Sequence, residues 1–335
     1  MEYDITTLNA KGEIMLFLIF LISFIVSFIG FPIIIPRLKT AGIVGKNMNS
    51  KLKEEIPEMG GLMMAAGFSA GIISTIALRS FFSIFPSINL TSIYAVLSTI
   101  LIVVLIGIFD DLISIKQGIK AVMPVFAAFP LMAIKEGFSI MYIPLIGAIN
   151  FGNFYPLILV PLGITGAANA ANMLAGFNGL EVGMGIIVVI SLSIISYVMG
   201  QMTALVILMA VLGTLFATIY YNWYPAKILI GDVGTLSLGA VIAAVVIIGN
   251  FEAAGIIVII PYVLDFLIKA KHRFPSHGWS GIYRDGKLYC PDSGPVSLCQ
   301  WIMKINRGIS EKNLVIVLMG IEAVFGLLAI LIYLY

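Results

Sequence analysis

Residues 98–120 read STILIVVLIGIFDDLISIKQGIK, an apolar run that stops at two adjacent carboxylates, Asp110 and Asp111. Crossing a bilayer's hydrocarbon takes about twenty such residues in a row. Working outward, several other stretches are nearly as long and as free of charge. The 335 residues are 60% hydrophobic and only 11% charged, with a mean hydropathy of +1.09. Soluble chains average roughly a quarter charged residues, so the composition describes a polytopic membrane protein. Backbone groups in hydrocarbon must bond within a helix or around a closed barrel, and continuous rather than alternating runs decide for helices.

The pattern predicts an all-α integral membrane protein with about ten transmembrane helices, at 14–36, 60–78, 93–109, 119–135, 155–171, 182–199, 202–219, 234–249, 254–270 and 313–334. Cytoplasmic loops are enriched in Lys and Arg. Sixteen of the nineteen basic residues fall in odd-numbered connections, leaving Lys11, Arg79 and Lys135 on the other side. The odd connections are therefore expected in the cytoplasm and both termini outside. MEYDITTLNA lacks the basic start of a signal peptide, so the first span is expected to be retained.

The chain reads as one domain over 1–335, with long connections at 37–59 and about 271–312. In the second, Gly and Pro turns predict loop structure with one short amphipathic helix near Val296–Ile305. The outer segment 138–154 is too apolar for an ordinary loop and is expected to form a small hairpin at the interface. Gly67 and Gly71 in GFSAG make a small-residue packing pattern; such pairs serve packing within a chain or in a homodimer. A net charge of +2 gives no reason to expect a nucleic-acid partner. Cys290 and Cys299 share a polar loop where, on the cytoplasmic side, no disulfide is expected.

The remaining polar residues gather on one predicted face. Asp110 and Asp111 close the third span, where the helix dipole is negative and each carboxylate is disfavoured by roughly 0.3–1 kcal/mol. A solvated pair ending a helix is one reading; compensation by a cation, Mg²⁺ or a metal-bound substrate, is the sharper one. Connection five reads NAANMLAGFNGLE, with Asn169 and Asn172 on one helix face, then Asn178 and Glu181 in a Gly-rich turn. Amide oxygens are neutral ligands for a hard cation, and amides also pair with a base or sugar. Asp232 in GDVGTLSLG and Glu58 in IPEMGG both lie near helix starts, where capping is the plain alternative. Lys271, His272 and Arg273 form a cationic cluster, otherwise readable as positive-inside anchoring. His272 and His277 make a poor zinc site without neighbouring acids. Carboxylates, amides and cations converging on one membrane face suit a pyrophosphate bound with Mg²⁺, and a lipid phosphate as its partner.

At these residues the chain resembles the polyprenyl-phosphate N-acetylhexosamine-1-phosphate transferase superfamily. GIFDDLISIKQGIKAVMP is similar to its Asp-Asp segment with a downstream lysine, Lys120. NAANMLAGFNGLEVG is similar to the asparagine-rich motif of the dolichyl-phosphate branch, and GDVGTLSLG to the Gly-Asp motif. The aspartate-rich and triple-histidine motifs of the bacterial peptidoglycan branch are missing. Connection nine is similar to an Arg-His-Arg segment with Lys271 in place of the first Arg, which loses a bidentate fork. The short loops look archaeal.

The resemblance implies transfer of GlcNAc-1-phosphate from UDP-GlcNAc to dolichyl phosphate in the cell membrane, with release of UMP. It implies that Asn172 and Asp232 hold Mg²⁺ (or Mn²⁺), and that Arg273, His272 and Lys271 stabilise phosphates. Lys120 would serve the acceptor or β-phosphate and Asn178 the uracil, with Asn169, Glu58 and Glu181 placed for sugar or nucleoside contacts. For Asp110 and Asp111, positioning, base and nucleophile roles stay open; a lipid phosphate is already mostly dianionic at pH 7, because its second pKa is about 6. Two acids, Asp265 and Glu322, lie inside spans and motivate a rival reading, an ion-coupled transporter. Another donor sugar, or undecaprenyl phosphate as acceptor, is a second alternative.

Overall fold

A computed structural model describes residues 10–49, 54–137, 139–143, 147–275 and 279–334. The order of elements is α1 (Ala10–Thr40), a hairpin of β1 (Val44–Lys46) and β2 (Glu55–Pro57), α2 (Gly61–Phe82) and α3 (Leu90–Ile113). Three short helices follow, α4 (Gln117–Val122), α5 (Pro124–Ala127) and α6 (Phe129–Ala133), then the hairpin β3 (Ile140–Ile143) and β4 (Gly147–Asn150). A π-helical turn, Tyr155–Leu159, runs into α7 (Val160–Met173). It is succeeded by α8 (Leu180–Val198), α9 (Met202–Asn222), α10 (Gly231–Gly249), α11 (Glu252–Val258) and α12 (Ile260–Lys271). The chain ends with the hairpin β5 (Ile282–Arg284) and β6 (Lys287–Tyr289), α13 (Leu298–Ile305) and α14 (Glu311–Leu334).

Eight helices among the described residues are long and apolar enough to cross a membrane. Two of the ten expected spans take another form. The fourth, 119–135, is broken into α4, α5 and α6, because Pro124 and Pro130 lack the N–H that a continuous helix needs and start new helices instead. The ninth, 254–270, is a pair, α11 and α12, bent by 58° just before Pro261. The expected outer hairpin is present as β3–β4, and the expected amphipathic helix as α13. Ser297 caps α13, which buries Cys299, Gln300, Ile302 and Met303 and exposes Trp301 and Ile305. The hairpins in the two long connections, β1–β2 and β5–β6, had no alternating pattern to announce them.

The bundle is built around α10, whose side chains beyond the first turn are almost all buried. It is apolar on every side, as a central helix must be, and lies against α3, α7, α2, α9 and α8. The outer helices α1 and α14 expose Phe17, Ile29, Val324 and Leu327, a lipid-facing surface. Gly67 and Gly71 let α2 approach α1 so closely that a Cβ would collide with the hydroxyls of Ser27 and Ser23. This small-residue pattern serves packing within the chain.

Candidate active site

Three distant segments meet at one end of the bundle. The Leu229 N–H donates to Pro57 O (2.8 Å), Gly60 N–H to Leu229 O (2.8 Å) and Gly61 N–H to Ile230 O (2.9 Å). This places IPEMGG beside the start of α10. The carboxylate of Asp111 then accepts the N–H groups of Asp232 (2.9 Å) and Val233 (3.3 Å). These are free donors at a helix N-terminus, where negative charge is favoured. Gly231 is needed at the joint: its φ is +66° and a Cβ would lie 2.5 Å from Asp111 Oδ2. Asp232 sits within the first turn of α10, so the cap comes from Asp111 and not from Asp232 itself.

Asp110 is compensated differently. Its Oδ2 lies 2.6 Å from Lys120 Nζ, and its Oδ1 accepts the Ile115 N–H (2.8 Å). Lys120 also donates to Asp232, so a single ammonium bridges two carboxylates from α3 and α10. Asp110 is thus met by a lysine of the protein and Asp111 by the N–H groups of a helix terminus. Asn172 is drawn to the same turn, its Oδ1 accepting from Thr235 Oγ1 at 2.9 Å. Asn169 turns toward α4 and donates to Ala121 O (2.9 Å) and Thr165 O (2.8 Å), bracing the residue after Lys120. Glu58 completes the group: burial, and secondarily the charge of Asp232, hold its carboxyl above the usual range, with Lys120 opposing.

A second polar cluster surrounds the 176–181 turn. Glu181 accepts the Gly176 N–H (2.6 Å), and Asn178 donates its N–H to Glu311 (2.8 Å). Asn49, from the first long connection, donates Nδ2 to Gly176 O (2.8 Å). The indole of Trp279 covers Gly176 and packs edge-on against Phe177 at 6.1 Å. Sequence reasoning missed Asn49, Trp279 and Glu311. Only Glu311 carried a signal, an acid at the start of the last span, and there the plain reading is a helix-end charge.

The cationic cluster stands apart from both groups. Lys271, the last residue of α12, and His272 and Arg273 just beyond it are exposed, and His272 Nδ1 bonds Ile268 O (2.8 Å). No ion pair joins them to the carboxylates among the described residues. They do share an end of the bundle with the asparagines, because Lys269, one turn earlier, donates to Met173 O at the end of α7. His277 lies outside the described residues. Asp265 pairs with Lys269 (2.7 Å), the partner its i,i+4 spacing suggested, and also accepts the Leu298 N–H (2.8 Å), anchoring α13. Glu322 is wholly buried, and among the described residues both its carboxylate oxygens are without a hydrogen-bond partner. Cys290 and Cys299 are free thiols.

An apolar cavity of about 450 Å³ runs beside α7 between α10 and the bent pair, lined by Tyr155, Gly163, Ile242, Val246 and Phe266. One end reaches Ala170, next to Asn169; the other holds Tyr155 and Glu252, which hydrogen-bond each other. A lysine between two carboxylates, with an amide oxygen beside them, thus stands near the end of an oily channel. That arrangement suits a charged headgroup with a hydrocarbon tail.

Comparison with known proteins agrees. Residues 93–250 match glycosyl transferase family 4. A Saccharolobus solfataricus protein, provisionally named UDP-N-acetylglucosamine–dolichyl-phosphate N-acetylglucosaminephosphotransferase, is 38% identical over 315 residues, 93% of this chain and 94% of that protein. A Dictyostelium discoideum protein of that name is 26% identical, covering 72% of this chain and 68% of that protein. A Streptococcus pneumoniae phospho-N-acetylmuramoyl-pentapeptide-transferase is 29% identical, covering 73% and 77%. With helices that span a membrane and likeness along nearly its whole length, the chain belongs to glycosyl transferase family 4, the polyprenyl-phosphate N-acetylhexosamine-1-phosphate transferases, and is a phosphotransferase enzyme.

Proposed function

We propose that the enzyme transfers N-acetylglucosamine-1-phosphate from UDP-GlcNAc to dolichyl phosphate, giving GlcNAc-diphosphodolichol and UMP, the first membrane step of N-glycan assembly. The observation that carries this reading is the Asp110–Lys120–Asp232 bridge beside the apolar cavity. The names of the Saccharolobus and Dictyostelium relatives support the same pair of substrates. The Lys and Arg distribution supports a cytoplasmic site with both termini outside.

An oxygen of the acceptor phosphate attacks the phosphorus that carries GlcNAc, and the bond from that phosphorus to UMP breaks. The acceptor is already dianionic for the most part at neutral pH, so no side chain has to remove a proton. Both oxygens of Asp110 are engaged, by Lys120 and by Ile115 N–H, which supports a positioning role over base or nucleophile. Asp111 holds the start of α10 and thereby Asp232. Lys120 is the cation in place to meet phosphate oxygens. Asn178 faces the uracil, Glu58, Asn169 and Glu181 flank the nucleoside and sugar, and Lys271, His272 and Arg273 close over the phosphates from the exposed side.

The donor set fits Mg²⁺, with Mn²⁺ as a substitute. Asn172 Oδ1 keeps a lone pair after accepting from Thr235, and Asp232 adds a carboxylate. Asp110, Asp111, Asp232 and Glu58 gather here without forming a three-ligand metal site among the described residues; Mg²⁺ commonly takes one or two protein ligands and completes its shell with water and phosphate. Bound by Asn172 and Asp232, it would neutralise diphosphate charge.

The test uses purified protein in detergent with dolichyl phosphate, a panel of UDP-sugars and Mg²⁺, following UMP. UMP is expected only with UDP-GlcNAc and lipid phosphate together, falling at least about 100-fold in Asp232→Ala and Asn172→Ala. Turnover with UDP-MurNAc-pentapeptide instead would favour the reaction in the name of the Streptococcus relative. Release of UMP from no donor on any lipid phosphate would overturn the transferase reading.

A further inference from the structure

Two amide groups near the 176–181 turn are buried without partners. Among the described residues, Asn178, 3% exposed, has no partner for its Nδ2 donor, and Asn49, equally buried, has none for its Oδ1 acceptor. A buried polar group left unpaired costs folding free energy, so an orphan donor and an orphan acceptor in one cluster point to a ligand that satisfies both. The same carboxylate ties the two residues together. Glu311 accepts the Asn178 N–H at 2.8 Å and has the Asn49 side-chain amide close enough to favour its charged form, while Asn49 Nδ2 donates to Gly176 O at 2.8 Å.

We infer that Asn49 is a specificity-determining residue for the nucleobase, and that Glu311 is the positioning residue that holds Asn49 and Asn178 as one hydrogen-bonding edge. This rests on the uridine-nucleotide reading given above, to which it adds Asn49 and Glu311. The chemistry is complementary. The imide edge of uracil offers an N–H donor flanked by carbonyl acceptors: the N3–H suits Asn49 Oδ1, and an adjacent carbonyl suits Asn178 Nδ2. Cytosine offers the wrong pattern, since its N3 is an acceptor and would face the Asn49 oxygen lone pair to lone pair. The surroundings favour a planar ring, because the Trp279 indole covers Gly176 and Phe177 packs on its edge.

Glu311 is the first residue of α14 and Glu181 lies in the first turn of α8. Between them they hold the main chain at Gly176 and Asn178 from two helices, so the turn cannot shift without breaking one of these bonds. Loss of Glu311 would free Asn49 and Asn178 together although Glu311 itself touches no ligand.

The experiment measures binding of UMP, CMP and 3-methyl-UMP to the purified full-length protein by calorimetry, alongside steady-state turnover. The wild type is expected to prefer UMP over the other two by at least about tenfold, the range that leaving one buried group unpaired produces. Asn49→Ala is expected to cut that preference to within about threefold. Glu311→Ala should do the same and raise KM for the UDP-sugar while leaving KM for the lipid acceptor unmoved, with Glu311→Gln intermediate because it keeps one acceptor oxygen. Asn49→Ser replaces Asn49→Ala if the latter does not fold. Wild-type preference retained in the folded variants overturns the inference. If the wild type neither binds UMP nor releases it from any donor, the uridine-nucleotide reading fails instead.

Discussion

Asp110 and Asp111 are neighbours with unlike fates: one meets a lysine, the other a helix terminus. Adjacent residues on a helix point about 100° apart, so two carboxylates side by side serve two partners. Glu58, the fourth acid of the group after Asp110, Asp111 and Asp232, lies outside the spanning helices. Burial, then Asp232, raises its carboxyl pKa above the ordinary value, with Lys120 opposing. The folded protein thus holds that proton more tightly than the unfolded chain does. The resulting stabilisation is full below the unfolded value and is lost as pH rises through the raised folded value. Glu58→Gln is therefore expected to melt higher than wild type at pH 7.5, with the gap closing toward about pH 4. Melting curves of both proteins across that range decide it, and a gap independent of pH would count against the assignment.

At the scale of elements, the start of α10 is the joint on which the site depends. A Gly231→Ala substitution forces a side chain into a left-handed conformation and against Asp111 Oδ2. A loss of about 1–3 kcal/mol in stability is expected, together with loss of turnover, and denaturant melts beside UMP release would read both. Which elements exist was largely legible in the sequence, since uncharged runs announce membrane helices. The failures fall at Pro124, Pro130 and Pro261, where hydropathy stayed high while the backbone could not continue. The residues of the site were legible as types on one predicted face. Their pairing was not, because Lys120 and Asp232 are 112 residues apart, and Asn49 and Gly176 are 127 apart. No local pattern says which of several acids a lysine will find.

At the scale of the molecule, the proposed function gives the apolar cavity and the polar end to one substrate, a lipid phosphate whose two halves want different solvents. Gly163 and Gly166 line that cavity, and a Cβ at either would meet nothing within 4 Å. Gly163→Leu is expected to fill the space without straining α7, and to help the helix by removing a glycine. The expected result is a KM for dolichyl phosphate raised about tenfold or more with KM for UDP-GlcNAc unchanged. Acceptors with progressively shorter tails would lose this sensitivity; an equal rise in both KM values would place the tail elsewhere.

The cap that Asp111 provides has a consequence for the order of synthesis. Its partner amides lie 121 residues further along the chain, so at roughly 5–20 residues per second a ribosome needs about 6–24 s to deliver them. Until then Asp111 ends the third span with water and the nearby Lys120 for company, without the amides that hold it in the fold. The polar end of the bundle therefore becomes whole in two stages, its carboxylate group once the start of α10 is made and its second cluster only once Glu311 follows.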